Sequence, residues 1–440
     1  MLAGIIYLWM VIFKPDRFNN YLPFLLVLLF ALRLIYGLCS EFWFPDELQV
    51  YLIGLKFYST GQFPFFGPDV VYTGSQIPGA LLGLLVGLPF YLLKIPEAPY
   101  ILLNLLSIAS LSLFAVYIQK RFTETPRWFI WVWLMTCPWT MNLSTHIYNP
   151  SYILFGAILF FIGFIESIPR LSIKFIKPSL SFFLMGFALF WVLQLHMSWV
   201  LLVPFIIAAF WFSFRKNKFT LLYFLAGCFI SASTLIPTFA IYGVNAGSGN
   251  TSSNIVLNLS NAKEFITLLL RYLSLASNEI PRFIDTDGGS KINFFNNYYL
   301  ATPFILFTII IGFLQVAYLI TGFFLHNPKK DFYIVKWIIF IALLITYFSF
   351  FFSVKGPSSH TFYVLFPLVM FYSFYCWEPL FRRKWFTYLM LIMLVSGSIT
   401  NITLAYHNYH LKSMYKNREL PLKAIQEKNY HLMGERRSGD

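Results

Sequence analysis

An all-α, polytopic membrane fold with about eleven transmembrane spans is the class the sequence predicts, and three observations predict it. Of the 440 residues, 58% are hydrophobic and 21% aromatic, and only 11% carry charge. Soluble domains average about 25% charged residues. Windows of 18 or more apolar residues recur along the chain. Each is long enough to cross roughly 30 Å of hydrocarbon as a helix. The short alternating segments that build a membrane β-barrel are absent from the sequence.

Taken in order, residues 1–13 are apolar but short for a span, and no small-residue cleavage site follows. They read as an interfacial or core-packed lead-in and not as a cleaved signal. Spans are predicted at 21–39, 99–118, 128–145, 150–167, 180–196, 198–214, 219–242, 300–325, 333–353, 361–377 and 385–406. One further segment, IPGALLGLLVGLPFYLLK at 77–94, is also long enough to cross. It carries Pro78, Pro89 and a row of small residues at Gly79, Gly83 and Gly87.

Charge places that segment. If 77–94 does not cross and the N-terminus is inside, six loops face inward: KPDRFNN, QKRFTETPR, IPRLSIKFIKP, RKNK, HNPKKDFY and FRRK. They hold sixteen Lys/Arg and three acids, against about seven Lys/Arg in the much longer outside loops. A crossing at 77–94 would turn five of these basic loops outward, against the positive-inside bias. The segment is therefore expected to be re-entrant or surface-lying, packed on protein through its glycine row. The same bias accounts for the net charge of +14, and no basic run outside the spans is arranged for nucleic acid. Cys39, Cys137, Cys228 and Cys376 are isolated, in neither a disulfide nor a metal pattern. No H-E-x-x-H, Walker loop or dinucleotide fingerprint occurs, which excludes the ATPase and soluble nucleotide-sugar classes those motifs mark.

Four regions follow: a membrane module at 1–242 with its first outside loop at 40–97, an outside loop at 243–299, C-terminal helices at 300–406 and a tail at 407–440. On this topology the tail lies outside, as a docking element or a disordered end. Nearly all polar residues without a routine explanation fall outside as well: EFWFPDE, STHIYNPS, LHMS, the 243–299 loop and KGPSSH. In the first of these, Pro45 suits the first turn of a helix and puts Asp46 and Glu47 in that turn, where the helix dipole favours ionised carboxylates. Leu48, Tyr51, Leu52, Leu55 and Tyr58 continue as an apolar stripe suited to the membrane surface. An Asp-Glu pair that merely caps a surface helix would look the same.

FPDELQVYLIGLKFYSTGQFPFFGP followed by GSQIPGALLG resembles the first outside loop of the GT-C membrane glycosyltransferases, in particular the protein O-mannosyltransferase and aminoarabinose-transferase group. The likeness covers the first ~120 residues well and the next ~90 loosely. It implies juxtamembrane helices in the first outside loop and a sugar donor carried on a polyprenyl phosphate. It further implies an inverting transfer to a glycan, lipid or protein hydroxyl, on the periplasmic face of a bacterial inner membrane, in lipopolysaccharide or protein glycosylation. Asp46 would be the general base and Glu47 its orienting partner.

Asn149, before Pro150, stands where the group often has Asp, and Gln76, before Ile77-Pro78, where relatives place Lys. Neither can ionise, so the phosphate ligand is open. His196 stands where the group places a donor toward the phosphate; a core histidine satisfied by Gln194 or Ser198 is the other reading. Arg271, Arg282, Lys291, Lys355 and His360 are further anion ligands or, alternatively, solvated and anchoring charges. Asp285 and Asp287 in IDTDGG leave a divalent cation open, although the same residues make an ordinary turn and no metal site is assigned. A flippase or transporter is the competing class, and would show mid-span charges and paired broken helices; Arg33 is essentially the one mid-span charge.

Overall fold

The computed structural model describes residues 18–41, 45–70, 75–213, 219–245, 247, 257–279, 281–284, 288–324, 329, 331–353, 356, 358–412 and 414–434. The fold is all-α, about 77% helical, with one two-stranded sheet among the described residues. Among the described residues, six helices are long and apolar enough to cross a membrane: α1 (Phe18–Ser40), α5 (Ala98–Arg121), α16 (Thr302–Thr321), α17 (Phe332–Ser349, with a 3-10 turn to Phe352), α18 (Phe366–Phe381, with a 3-10 lead-in from Ser359) and α19 (Lys384–Lys412). A seventh forms if α11 (Thr220–Ala232) and α12 (Ile236–Tyr242), bent by 70°, count as one span.

The other predicted spans are helical but shorter or interrupted. Residues 127–143 break into α6 (Arg127–Thr136) and α7 (Pro138–Leu143), because Pro138 has no amide to continue the ladder. Next come α8 (Ile153–Ser167) and α9 (Pro178–Leu193), then a 3-10 turn at Met197–Leu202 leading into α10 (Val203–Ser213). Helix α18 is almost wholly buried and forms the axis of the core. Aromatic edges surround it: Phe129 lies 6.1 Å from Trp377, and Phe332 stacks on Tyr375 at 5.3 Å.

The one mid-span arginine has a structural task. Arg33, fully buried on α1, donates to Met135 O at 2.7 Å, Thr140 O at 3.2 Å and both Ser144 O and Oγ. These acceptors flank the α6–α7 break, where helix carbonyls have lost their own partners. Arg33 is thereby assigned to holding a broken helix together.

Residues 40–97 build a small cap on one end of the bundle. Helix α2 (Pro45–Thr60) is followed by strands β1 (Phe66–Val70) and β2 (Ser75–Pro78), which pair antiparallel, and by short helices α3 (Leu81–Gly87) and α4 (Pro89–Leu92). The segment starts and finishes at the same end: Tyr51 donates to Pro96 O at 3.1 Å. Its glycine row faces protein. A Cβ on Gly83 would sit 2.6 Å from Pro64, one on Gly87 2.5 Å from Gly54 O, and Gly79 takes a φ of +112° against Gln194. The stripe on α2 does not lie on lipid as the periodicity predicts. Tyr51, Leu52, Leu55 and Tyr58 are buried against α3, α4 and the C-terminal segment, because protein covers that face.

The remaining predicted outside segments meet at this end. Ile147 N donates to Glu41, Thr238 Oγ1 to Phe65 O, Gln76 N to Gly247 O, Asn261 Nδ2 to Phe350 O, and Met414 N to Glu41 O. The predicted inside loops meet at the other end through ion pairs: Arg121–Asp331 at 2.5 Å, Lys329–Glu378 at 2.6 Å and Arg382–Glu124 at 2.6 Å.

One region departs from the sequence reading, and the tail takes the docked one of its two expected forms. Much of 257–299 is helical and not loop: α13 (Phe265–Ser274), α14 (Pro281–Ile284) and α15 (Gly288–Asn297), with Leu268, Tyr272 and Leu273 of α13 buried. The tail continues α19 to Lys412 and adds α20 (Glu419–Gln426) and a 3-10 turn at Tyr430–Met433, which dock on α2. Residues 1–13, Asp285, Asp287 and Lys355 lie outside the described residues.

Candidate functional site

Three carboxyl groups cluster where α1 ends and α2 begins, and their burial is graded. Asp46 is exposed in the first turn of α2, Glu47 is partly buried, and Glu41, one residue past α1, is fully buried. Glu41 Oε2 accepts from Ile147 N at 3.1 Å, while Oε1 is buried without a hydrogen bond. Burial, and then the charge of Glu47, push the Glu41 carboxyl well above its usual range; the Ile147 amide and the Tyr100 hydroxyl pull the other way. Burial also raises Glu47 to about 7, opposed by a backbone amide and reinforced by Asp46. This corrects the expectation that the helix dipole keeps both members of the pair ionised. Desolvation of Glu47 outweighs a dipole effect of ~0.3–1 kcal/mol.

The turn holding Asn149 reaches this cluster through the Ile147–Glu41 bond. Tyr148 N donates to Ser151 Oγ at 3.0 Å, which in turn donates to His146 O, so the turn is internally fixed. Asn149 Oδ1 is buried with no hydrogen-bond partner.

Gln76 approaches from β2. Its Nε2 donates to Asp69 Oδ1 at 2.9 Å, and Gln49 Nε2 donates to Asp69 Oδ2 at 2.5 Å. Gln49 lies one helical turn beyond Asp46, so the hairpin ties Gln76 to the same stretch of α2. Sequence reasoning missed Asp69 as the joint between helix and hairpin; its signal was the carboxylate directly after Gly67-Pro68, in the motif already singled out.

His196 and His360, far apart in sequence, meet edge to face with ring centroids 6.4 Å apart. Ser198 N donates to His196 Nδ1 at 3.1 Å, and Ser358 Oγ is 2.9 Å from His360 Nδ1. Because Nδ1 of His196 accepts a hydrogen bond, the ring proton resides on Nε2. Burial, followed by the neighbouring His360, lowers His196 to about 3. The imidazole is thus a neutral donor, and its bond with Ser198 is one that the core-histidine reading names. The pair adjoins the hairpin: Gln194, two residues before His196, packs on Gly79 and accepts from Thr234 Oγ1 at 2.8 Å.

Arg271 is not brought to this assembly. It lines a separate cavity of about 260 Å³ with Ser274, Glu279 and Gly312, between α13 and α16. Arg282 lies on α14, away in sequence from the cap elements, and Lys291 is half-buried on α15. Among the described residues no three His, Cys, Asp or Glu side chains converge to hold a metal ion.

No protein-family model, curated protein or solved structure matches this chain.

Proposed function

We propose that the chain is an inverting glycosyltransferase of GT-C type, with about eleven membrane passes, that takes its sugar from a polyprenyl-phosphate donor at the capped end of the bundle. One observation carries the reading: an exposed carboxylate, Asp46, stands at a helix N-terminus next to the partly buried Glu47, with the buried Glu41 just before it tied to Ile147 of a distant segment. The acceptor hydroxyl attacks the anomeric carbon and its proton passes to Asp46. The bond from that carbon to the phosphate oxygen breaks, and the polyprenyl phosphate leaves with the electron pair. A positioned base supplies typically 10²–10⁴-fold, and donors aimed at the leaving oxygen add to it. Glu47 orients Asp46 or the acceptor. Gln76, Asn149, His196 and His360 are the candidate donors to the phosphate, with Arg271, Arg282 and Lys355 as further candidates. No step is assigned to a metal ion. The active face is the periplasmic one if the cell is bacterial.

A transporter of lipid-linked sugars would share the broken helices α6–α7 and α11–α12. Both breaks fall within residues 127–242; the C-terminal part has a kinked 3-10 lead-in to α18 at Phe362 but no second bent pair of helices among the described residues, so the breaks are not paired between two halves. The test is Asp46→Asn in membranes supplied with labelled polyprenyl-phosphate sugars. Transfer should fall by about 10²-fold or more with accumulation unchanged. Undiminished transfer would remove Asp46 as the base.

A further inference from the structure

A cavity of about 330 Å³ lies on the far side of α2 from the helix start, and of its lining residues only Gln76 has a role above. Its wall is aromatic: Phe63 and Phe65 meet at 5.1 Å, and Phe65 meets Tyr242 of α12 at 5.3 Å. Lys56 and Gln76 supply polar groups, and Tyr430 of the C-terminal segment closes one side. The Lys56 ammonium lies 5.6 Å from the centre of the Tyr430 ring. The closing segment is held firmly by Arg418, which contacts both oxygens of Glu97, and by Lys428 over Tyr58 at 5.4 Å.

We propose that this cavity binds a saccharide unit. Flat aromatic rings receive the apolar C–H face of a sugar, while a carboxamide and an ammonium bond its hydroxyls. An acyl or prenyl chain would fit worse. It would desolvate the Gln76 carbonyl with no hydrogen bond in return, at roughly 1–3 kcal/mol. Gln76 already donates through Nε2 to Asp69, so its carbonyl Oε1 faces the role of acceptor from a sugar hydroxyl. Gln76 also joins the cavity to the carboxylate cluster, through Asp69 and Gln49. The binding claim stands on the cavity; its use, as the subsite for a glycan acceptor, rests on the glycosyl-transfer reading above.

The test uses the full chain in nanodiscs of sugar-free phospholipid. The probes are biotin-tagged linear tri- to pentasaccharides of neutral and of anionic hexoses. Wild type should retain at least one of them. Tyr430→Ala and Phe63→Ala should each weaken that binding about 10-fold, as loss of a central aromatic contact does. Asp46→Asn should leave binding within about 2-fold while abolishing transfer. Phe63→Leu, which keeps the volume and removes the ring, serves if the alanine variant fails to fold. Failure of wild type to bind any probe, binding indifferent to both ring deletions, or a lipid chain that no saccharide displaces would each overturn the proposal. Binding that tracks Tyr430 in a protein whose transfer ignores Asp46 would leave the saccharide site standing and sink the catalytic reading alone.

Discussion

Arg418 contacts both carboxylate oxygens of Glu97, with Nε at 2.5 Å from Oε1 and Nη2 at 3.1 Å from Oε2. The bond joins the C-terminal segment to the start of α5, and so closes the cap over α2. Two parallel charge-assisted bonds on a mostly buried carboxylate exceed an ordinary surface pair in strength. Arg418→Ala and Glu97→Ala should each speed protease cleavage of the tail by about 10-fold, and the double variant should add little, because both remove one interaction. Additive effects in limited proteolysis would show that the two residues act separately.

Glu47 makes stability depend on pH. Its carboxyl titrates near 4.5 when unfolded and near 7 in the fold. Between those values the folded chain holds the proton that the unfolded chain releases, so stability declines as pH rises through that window. The full effect is on the order of 3 kcal/mol. Thermal unfolding at pH 5 and pH 8 should show wild type losing more than Glu47→Gln. Parallel losses in the two proteins would mean that Glu47 does not titrate there.

His196 should act without titrating. Its ring is neutral, fixed by the Ser198 amide, and lowered to about 3, so acidification from pH 7 to 6 leaves it unchanged. His196→Ala is expected to cost about 10-fold in transfer, the share of one neutral donor of ~1–1.5 kcal/mol. The ratio of wild-type to variant rate should stay flat across that range. A ratio that climbs in acid would show a protonated imidazole at work.

Topology can be read by cysteine labelling at exposed positions. Gln62→Cys and Lys428→Cys should react with an impermeant maleimide from outside, and Thr123→Cys and Arg383→Cys only after permeabilisation. Ser144, which the loop motif alone suggests as a probe, is fully buried and unsuitable. The opposite labelling pattern would invert the assignment of the capped end.

Much of this was legible because it is local. Runs of apolar residues marked where helices lie, Pro45 marked the start of α2, and Gly79, Gly83 and Gly87 marked a surface that meets protein. The clustering of polar segments at one end followed from the alternation of basic loops. What escaped depends on distant partners. Glu41 reads as an ordinary loop acid until the Ile147 amide is placed on it, and His196 gains His360 only through the packing of a 3-10 turn against another. The stripe on α2 has the same period whether lipid or protein covers it, so periodicity could not say which. Asn149 and Gln76 lie at the cap as the loop motifs suggested, but Arg271 lies in its own cavity, since a charge in a long connection carries no positional information.

The engagement of Arg33 has a consequence for biosynthesis. Its acceptors at Met135, Thr140 and Ser144 leave the ribosome about a hundred residues after it does. An unaccompanied guanidinium at the centre of a bilayer costs at least ~2.5 kcal/mol. Helix α1 should therefore wait, beside the insertion machinery or tilted so that its arginine reaches the headgroups, until the segment that forms α6 and α7 emerges to receive it.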